Sequence, residues 1–456
     1  MTKRKRGKIE QQTVNVLKYQ DERLKSLMRD SRETGTKAEV EIGSLESIIR
    51  ERGIDPRSIG AEQKAARHQA LIVPKWEELC EEAERAVGNG CKLESLFTSE
   101  EIKRNDAYIA QLEDEFNKVH SLDHIDIAIS ALAGLVGALI NILLVGTPQK
   151  GKSGLSAAPL ENYIREKFEE VFPEEEMEKL ANSKSSKVPY DAQDNRNTRE
   201  YVSGLSAYYH RLLSLGHDPL LGFVVGVFDI ITGRMTTIDK DGNVVCQVME
   251  HYADRKETDV FTALVKQWTH LKSDITTSMG LPAPLMSVFN LFQFGSIGEE
   301  EQTIAEIVQG MYYEGYDFVH FCAMSIPVMI EEIIVRISYA IKHIKEGYRV
   351  RDSIPFSTSR EKHPKLKTML FIAHSSASAI NAGQVCFSKN PMAINYPEWI
   401  AFAKYMYLQL KWVLVEKEKA REDYVNGKLD EEWMRIEEEA NESFRKLCQD
   451  NIVIFS

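Results

Sequence analysis

Residues 127–146 read IAISALAGLVGALINILLVG, and this stretch decides the fold. Its polar side chains are limited to Ser130 and Asn141. A helix of this length spans about 30 Å, the thickness of the hydrocarbon core of a bilayer. Small residues recur at every fourth position, a spacing that lets a second helix approach closely. We therefore predict an apolar helix that either spans a membrane or is buried on all sides in a soluble bundle. Its predicted packing positions are Ser130, Gly134, Gly137 and Ala138.

The rest of the chain also favours helices. Apolar residues between 61 and 119, including Leu71 and Ile72, recur at spacings of three and four, which is typical of amphipathic helices. Strand-forming residues flank an Asp-Gly turn within residues 235–248, which predicts a hairpin. The predicted fold is mainly α: a multi-helix bundle with a central glycine-rich apolar helix and one small β-hairpin near 235–248.

Charge and apolar content change along the chain and predict its division into regions. Near the amino end, Gly35 and Gly43 interrupt a charged sequence with few apolar residues, so we expect short, partly mobile helices there. Residues 366–383 form another helix rich in small residues and are a candidate partner for the glycine-rich helix. The predicted regions are a charged segment 1–60, an amphipathic helical region 61–122, a helical core 123–350 and a C-terminal helical region 351–456.

Composition excludes several classes of protein. The chain has 456 residues, of which 43% are hydrophobic and 28% charged, close to the averages for folded proteins. Its net charge of -12 disfavours nucleic-acid binding, because neutralising phosphates requires a basic surface. The six cysteines are widely spaced, which favours a reducing compartment. No apolar segment follows the basic residues at the amino end, so we expect no secretion signal. We predict a cytoplasmic protein, either free or at the inner face of the cell membrane.

Residues 146–153 read GTPQKGKS and match the phosphate-loop pattern G-x-x-x-x-G-K-[ST]. In this interpretation Gly146, Gly151, Lys152 and Ser153 would hold ATP or GTP with Mg²⁺, and Asp229 would contact the same magnesium. However, the apolar run before the loop has helical rather than strand periodicity. Pro159 would also kink the helix that should follow the loop. We therefore favour a polar loop that ends a helix and keep nucleotide binding as the alternative.

Histidines and carboxylates also suggest metal binding. His210, His217 and Asp218, with Asp254 or Asp274 downstream, are similar to a metal phosphohydrolase pattern. Without a characteristic ligand spacing, however, histidines more often cap helices or pack than bind metals. The sequence analysis therefore assigns no metal ligand and no catalytic residue. A second group has two histidines four residues apart, and for the same reason it is not assigned as a metal site: His120, Asp123, His124 and Asp126.

Three further segments carry a resemblance. Residues 216–222 (GHDPLLG), 280–285 (GLPAPL) and 311–317 (MYYEGYD, followed by His320 and Phe321) resemble a family of uncharacterised bacterial proteins. The resemblance covers about residues 120–345 and implies a bacterial source but no particular activity. Members of that family do not generally carry the Gly-Lys-Ser of the loop, which further disfavours nucleotide binding.

The predicted function is that of a non-enzymatic helical protein, membrane-associated or soluble. It would act through helix packing, by binding a protein partner or a second copy of itself. The alternative is a phosphate-loop NTPase.

Overall fold

The computed structural model describes residues 3–53, 55, 70–88, 91–148, 159–296, 301–450 and 452–455. These residues are mainly α-helical, which confirms the predicted fold class. In chain order the helices are α1 (Lys3–Glu51), α2 (Trp76–Val87), α3 (Ser99–His120), α4 (His124–Ile140), α5 (Pro159–Val171), α6 (Glu174–Ala181), α7 (His210–Leu213), α8 (Val225–Thr232), α9 (Val260–Asp274), α10 (Ile304–Tyr313), α11 (Phe318–Lys345), α12 (Val350–Ser353), α13 (Leu366–Ser388), α14 (Tyr396–Lys411) and α15 (Lys417–Asp450). The strands are β1 (Ala70–Val73), β2 (Arg234–Ile238), β3 (Val244–Val248) and β4 (Ile452–Phe455).

The chain divides into two compact units. The first contains the described residues up to Lys118 together with those from Lys417 onward, and the second contains residues 119–416. The four-region division made from the sequence stays a prediction.

In the first unit, α1 is a single helix of 49 residues. The expected interruption of this segment is therefore wrong. Gly35 and Gly43 lie inside the helix, and no atom of the described residues comes within 4 Å of where their side chains would stand. A glycine at such a site costs only about 0.5–1 kcal/mol relative to alanine. Local ion pairs such as Lys25 with Asp21, at 2.6 Å, partly offset that cost.

The first unit also contains a small parallel sheet that the sequence analysis did not predict. Strand β1 pairs with β4, with Ala70 opposite Ile452 and Val73 opposite Phe455. Leu71 and Ile72 therefore belong to a strand, and their assignment to an amphipathic helix is wrong. A short apolar run fits both periodicities, and here pairing with a distant segment decides between them.

In the second unit, α4, α11, α13 and α14 pack together as a helical bundle. Asp123 and Asp126 form a capping box that starts α4. The helix continues through a π-helical turn, Asn141–Val145, and ends at Gly146, whose φ of 67° suits glycine. The glycine-rich stretch thus forms one nearly continuous helix. A Cβ atom on Gly134 would overlap the backbone oxygen of Ala373, so α4 and α13 approach too closely for any side chain there.

The outer surface of this bundle is apolar. On α11, Met329, Ile333, Ile337 and Ile341 recur every fourth residue and are each about half exposed or more. Exposed leucines follow α4 in the same way, whereas Glu331 is buried inside. Both α11 and the apolar part of Ser99–Val145 are long and apolar enough to cross a membrane.

The predicted hairpin is confirmed. Strand β2 pairs antiparallel with β3, with Arg234 opposite Val248 and Ile238 opposite Val244. Asp239 stabilises the turn by accepting hydrogen bonds from the backbone N–H groups of Asp241 and Asn243. The hairpin packs against α8 and closes one side of the core that surrounds the site described next.

Candidate metal centre

Side chains from separate segments of the second unit converge at one buried point, which we call the His–Asp centre. The segment after α6, helix α7, the 3-10 turn Leu215–His217 and helix α9 supply its residues. The members are Asp191, His210, His217, His270 and Asp274.

Local sequence features hold two of these segments in place. The side chain of Asp259 caps α9 by accepting a hydrogen bond from Thr262 N at 2.8 Å. His270 and Asp274 are four residues apart on that helix and therefore share one face. After the 3-10 turn that ends with His217, Asp218 accepts hydrogen bonds from the backbone N–H groups of the next residues. Asp218 is thus a turn-stabilising residue and lies outside the centre.

The ring nitrogens and carboxylate oxygens lie close together. The Nε2 atoms of His217 and His270 are 3.1 Å apart. Asp274 Oδ2 lies 3.8 Å from His217 Nε2 and 3.7 Å from His270 Nε2. On the other side, Asp191 Oδ1 lies 3.3 Å from His210 Nε2 and 3.8 Å from His217 Nε2. His217 therefore belongs to two overlapping groups of potential ligands, each with three members.

The hydrogen bond of His210 determines which of its nitrogens faces the centre. His210 Nδ1 lies 2.8 Å from the backbone oxygen of Ala207. A carbonyl oxygen only accepts, so Nδ1 carries the proton, and in the neutral ring Nε2 presents a lone pair to Asp191. A lone pair opposite a carboxylate oxygen at 3.3 Å is repulsive unless a proton or a cation lies between them. An Nδ1–H bonded to a backbone carbonyl is also the usual way in which a metal-binding histidine is oriented.

Arg211 orients the second carboxylate. One of its guanidinium nitrogens contacts Asp274 Oδ1 at 2.9 Å, and another donates to the backbone oxygen of Gly280 at 3.1 Å. Asp274 Oδ2 is buried, faces the histidines and has no hydrogen-bond partner among the described residues. A buried carboxylate oxygen without a partner is costly, so this atom requires an explanation.

Tyr190 covers one side of the centre. Its ring lies edge-on to His217 and His270, and its hydroxyl donates to Gln267, which in turn donates to the backbone oxygen of Gly216 at 2.7 Å. A Cβ atom on Gly216 would stand 2.5 Å from the Tyr190 ring. Glycine is therefore required immediately before His217 so that the tyrosine can cover the centre.

The segments that carry the family resemblance meet around this centre. His217 lies in the first segment and Gly280 in the second. The backbone oxygen of Gly280 accepts hydrogen bonds from Arg211 and from Tyr312, and Tyr312 lies in the third segment. Gly280 has a φ of 66°, and a Cβ there would stand 2.9 Å from the side chain of Asp317. The three segments thus support one site, although they are far apart in the sequence.

Burial and mutual contacts determine the charge of the ligands. Burial lowers the pKa of His217 to about 4, so its imidazole is neutral at physiological pH. Burial alone would raise the pKa of Asp191, but its contacts with His210 and His217 hold the pKa well below its ordinary value. Neutral imidazole and ionised carboxylate are the forms that bind metals.

The spacing of these atoms suits a first-row metal ion. Ligands at about 2.0–2.2 Å from one cation are separated from each other by roughly 3–3.6 Å in octahedral or tetrahedral geometry. The separations of 3.1 and 3.3 Å lie within this range, and those of 3.7 and 3.8 Å lie slightly above it. Of the five side chains, Asp191 is the most exposed, at 23%, and the others are buried. The arrangement can hold a cation largely out of contact with solvent.

Comparisons of the chain with protein-family models, curated proteins and solved structures find no match.

The other residues proposed from the sequence have different surroundings. Asp229 is buried in α8, where its two oxygens accept from the backbone N–H and the hydroxyl of Thr236. Gly146 ends the π-helical turn, and the segment before it is helical, whereas a phosphate loop follows a strand. Gly151, Lys152 and Ser153 lie outside the described residues. The predicted packing positions on α4 are all buried: Ser130, Gly134, Gly137 and Ala138.

The second histidine group does not form a cluster of ligands. His120 stacks on Trp412, Asp123 caps α4, and Asp126 forms an ion pair with Lys342 at 2.6 Å. Of the first group, His210, His217 and Asp274 belong to the His–Asp centre, and Asp254 is exposed.

Asp191 and His270 were not among the residues predicted from the sequence. The spacing of four between His270 and Asp274 was visible and could have indicated a shared helical face. Asp191 has no comparable signal, because it lies in an irregular segment and reaches the centre through tertiary packing alone.

Proposed function

We propose that this protein binds a divalent transition-metal cation at the His–Asp centre and that the metal has a structural role. The observation that carries the proposal is the contact of His217 Nε2 with His270 Nε2 at 3.1 Å, beside the unpartnered Asp274 Oδ2. A cation would satisfy all three atoms at once. It would join α9 to the 3-10 turn that precedes α8.

The ligand types narrow the choice of metal. Imidazole nitrogens combined with carboxylate oxygens suit Zn²⁺, Fe²⁺, Mn²⁺ and Ni²⁺, whereas Ca²⁺ and Mg²⁺ prefer ligand sets made of oxygen alone. Structural metal sites are enclosed by protein, and catalytic sites keep an open coordination position. The burial of all the side chains except Asp191 favours the enclosed type. This proposal agrees with the non-enzymatic role expected from the sequence.

Metal content measured per chain tests the proposal. The purified protein would be stripped with a chelator, loaded with Zn²⁺ or Mn²⁺, desalted and analysed by mass spectrometry for bound metal. We expect His270→Ala to lose one metal equivalent relative to the unmodified protein. His251→Ala is the matched control, because it removes an exposed histidine. If His270→Ala folds and keeps the metal content of the unmodified protein, the proposal is wrong.

A second candidate function is membrane association, and a specific observation favours it. The bundle of α4, α11, α13 and α14 has exposed isoleucines and leucines outside and buried Glu331, His374 and Glu398 inside. Within membranes, exposed apolar side chains and buried ionisable side chains occur together, although the interior of this bundle also has an apolar core that includes Leu366, Met369 and Leu370. The proposed occupant of the apolar surface is a lipid bilayer, because two helical segments are long and apolar enough to cross one.

Nucleotide binding at residues 146–153 stays an alternative prediction. The helical segment before the loop and the structural role of Asp229 weigh against it.

A further inference from the structure

A second buried group of potential ligands lies inside the bundle of the second unit. Glu331 on α11, His374 on α13 and Glu398 on α14 point towards one another, and we call them the bundle triad. His374 Nδ1 lies 2.9 Å from Glu398 Oε1 and 3.4 Å from Glu331 Oε2. All three side chains are at most 2% exposed. The group is separate from the His–Asp centre and shares no residue with it.

The triad contains atoms that the fold leaves unsatisfied. Glu331 Oε2, Glu398 Oε2 and His374 Nε2 are buried and have no hydrogen-bond partner among the described residues. Asn141 Oδ1, from the π-helical turn after α4, is likewise buried and has no hydrogen-bond partner among the described residues. Such groups rarely remain unpartnered in native proteins, because burying them without a partner is costly.

A small polar cavity adjoins these atoms. Its volume is about 10 Å³, and Asn141, Glu331 and Glu398 are among the residues that line it. That volume is close to the minimum for one water molecule, so a single small ion fits but a larger ligand does not.

The carboxylates around the triad require a compensating positive charge. Three carboxylates surround His374, because Glu332 Oε1 also lies 3.9 Å from its Nε2. The cations that contact these carboxylates are His374, if protonated, and Arg336, which pairs with Glu332 at 2.9 Å. If all three carboxylates are ionised, one negative charge remains in excess even with a charged imidazole. Burial raises the pKa of Glu331 to about 8, so either a proton on Glu331 or a bound cation can compensate this charge. With a neutral imidazole and a dication, the three carboxylates and Arg336 would be balanced, and metal-bound imidazole is neutral.

The glycine-rich helix makes room for this arrangement. A Cβ atom on Gly137 would overlap the carboxylate of Glu331. The space that this glycine leaves is thus occupied by the carboxylate of Glu331, and it also allows the helices to pack closely.

We propose that the bundle triad is a second site for a divalent cation, with His374 Nδ1 and carboxylate oxygens of Glu331 and Glu398 as ligands. The separation of 3.4 Å agrees with shared coordination of one ion, and the separation of 2.9 Å, which is also a hydrogen-bonding distance, lies at the short limit for it. One nitrogen and several oxygens form a set suited to Mn²⁺, Fe²⁺ or Zn²⁺. Asn141 also lines the adjoining cavity, and its buried, unpartnered Oδ1 is the candidate for a further ligand.

The experiment measures bound Mn²⁺ per chain after loading and desalting, in the full-length protein. Glu398→Gln retains the size and shape of the side chain but weakens a ligand, so we expect it to lose one equivalent of Mn²⁺. Glu332→Gln is the matched control. It removes a neighbouring carboxylate that is already bonded to Tyr405 and Arg336 and that is not a proposed ligand. We expect this control to keep the Mn²⁺ content of the unmodified protein.

Two results would overturn the proposal. One is a folded Glu398→Gln variant with undiminished Mn²⁺. If Glu398→Gln does not fold, the deciding measurement is made on His270→Ala, which lacks the first centre. Absence of bound Mn²⁺ from this variant would contradict the proposal. If only the proposal for the His–Asp centre is wrong, the outcome differs. His270→Ala would then leave the Mn²⁺ content unchanged, whereas Glu398→Gln would lower it.

Discussion

The Nε2 atoms of His217 and His270 lie 3.1 Å apart, although the two residues are separated by 53 positions in the chain. Without a cation, at most one of these nitrogens can donate to the other. The nearby Asp274 Oδ2 would then stay without a partner. This contact therefore links the fold of the second unit to its proposed ligand, and several predictions about stability depend on it.

Removing metal should destabilise the protein. A ligand that binds only the folded state stabilises it by about 2.7 kcal/mol when its free concentration is 100 times Kd. We expect a chelator to lower the melting temperature of the unmodified protein by several degrees and to have a much smaller effect on His217→Ala. Differential scanning calorimetry with and without chelator measures both effects. Equal chelator effects in the two proteins would contradict the assignment of His217 as a ligand.

Asp229 should make stability depend on pH. Burial raises its pKa to about 6, from an ordinary value of 3.8. The folded state therefore binds the proton more tightly, and the free energy of unfolding should rise as the pH falls from about 6 to 4, by up to about 3 kcal/mol. Asp229→Asn should remove this part of the pH dependence. Urea denaturation at several pH values tests this. Asp241→Asn, which removes an exposed carboxylate in the nearby turn, is the control and should keep the dependence.

Gly134→Ala should destabilise the bundle by about 1–3 kcal/mol, because the new Cβ would overlap the backbone oxygen of Ala373 and a backbone atom cannot easily move away. Gly383→Ala is a matched control on the facing helix, since nothing lies near its Cβ position. It should stabilise the protein by roughly 0.5–1 kcal/mol, as alanine favours helices over glycine. Similar unfolding free energies for the two variants would mean that the close approach of α4 and α13 is unimportant.

The apolar surface of α11 should be needed for membrane binding. Ile337 and Ile341 are both about half exposed, so replacing them with lysine should leave the fold intact. A charged residue deep in a bilayer costs about 2.5–3.5 kcal/mol, so the double variant should float with phosphatidylcholine vesicles far less than the unmodified protein. Leu24→Lys, an equally exposed apolar position on α1, should behave like the unmodified protein. An unmodified protein that never floats would exclude the bilayer as the occupant.

Mg-ATP and Mg-GTP should leave the melting temperature unchanged, because we favour a polar loop at residues 146–153. If the loop has no ligand, Lys152→Ala should change the free energy of unfolding by less than about 0.5 kcal/mol, as is usual for substitutions away from caps and cores. A stabilisation by either nucleotide that disappears in Lys152→Ala would instead establish the phosphate-loop alternative. Thermal unfolding of both proteins with each nucleotide decides the matter.

The sequence alone determined the elements whose pattern is local. The apolar run at 127–146 and the Asp-Gly turn of the hairpin each determine a structure through neighbouring residues, so periodicity and turn chemistry were sufficient. Local pattern misled where two structures fit it equally, as for Leu71 and Ile72, whose strand depends on residues 452–455. It also misled at Gly35 and Gly43, because a modest local cost does not end a long helix.

Only the tertiary structure decided the two candidate sites. Asp191, His210, His217 and His270 come from different segments, and no spacing in the chain reveals that their atoms meet within a few ångströms. In the same way, Gly137 was predicted from its spacing as a packing position, but its contact with Glu331 depends on how α11 docks against α4. The physical reason is that periodicity records which face of an element is buried. Which side chains of other elements meet that face depends on the packing of the whole unit.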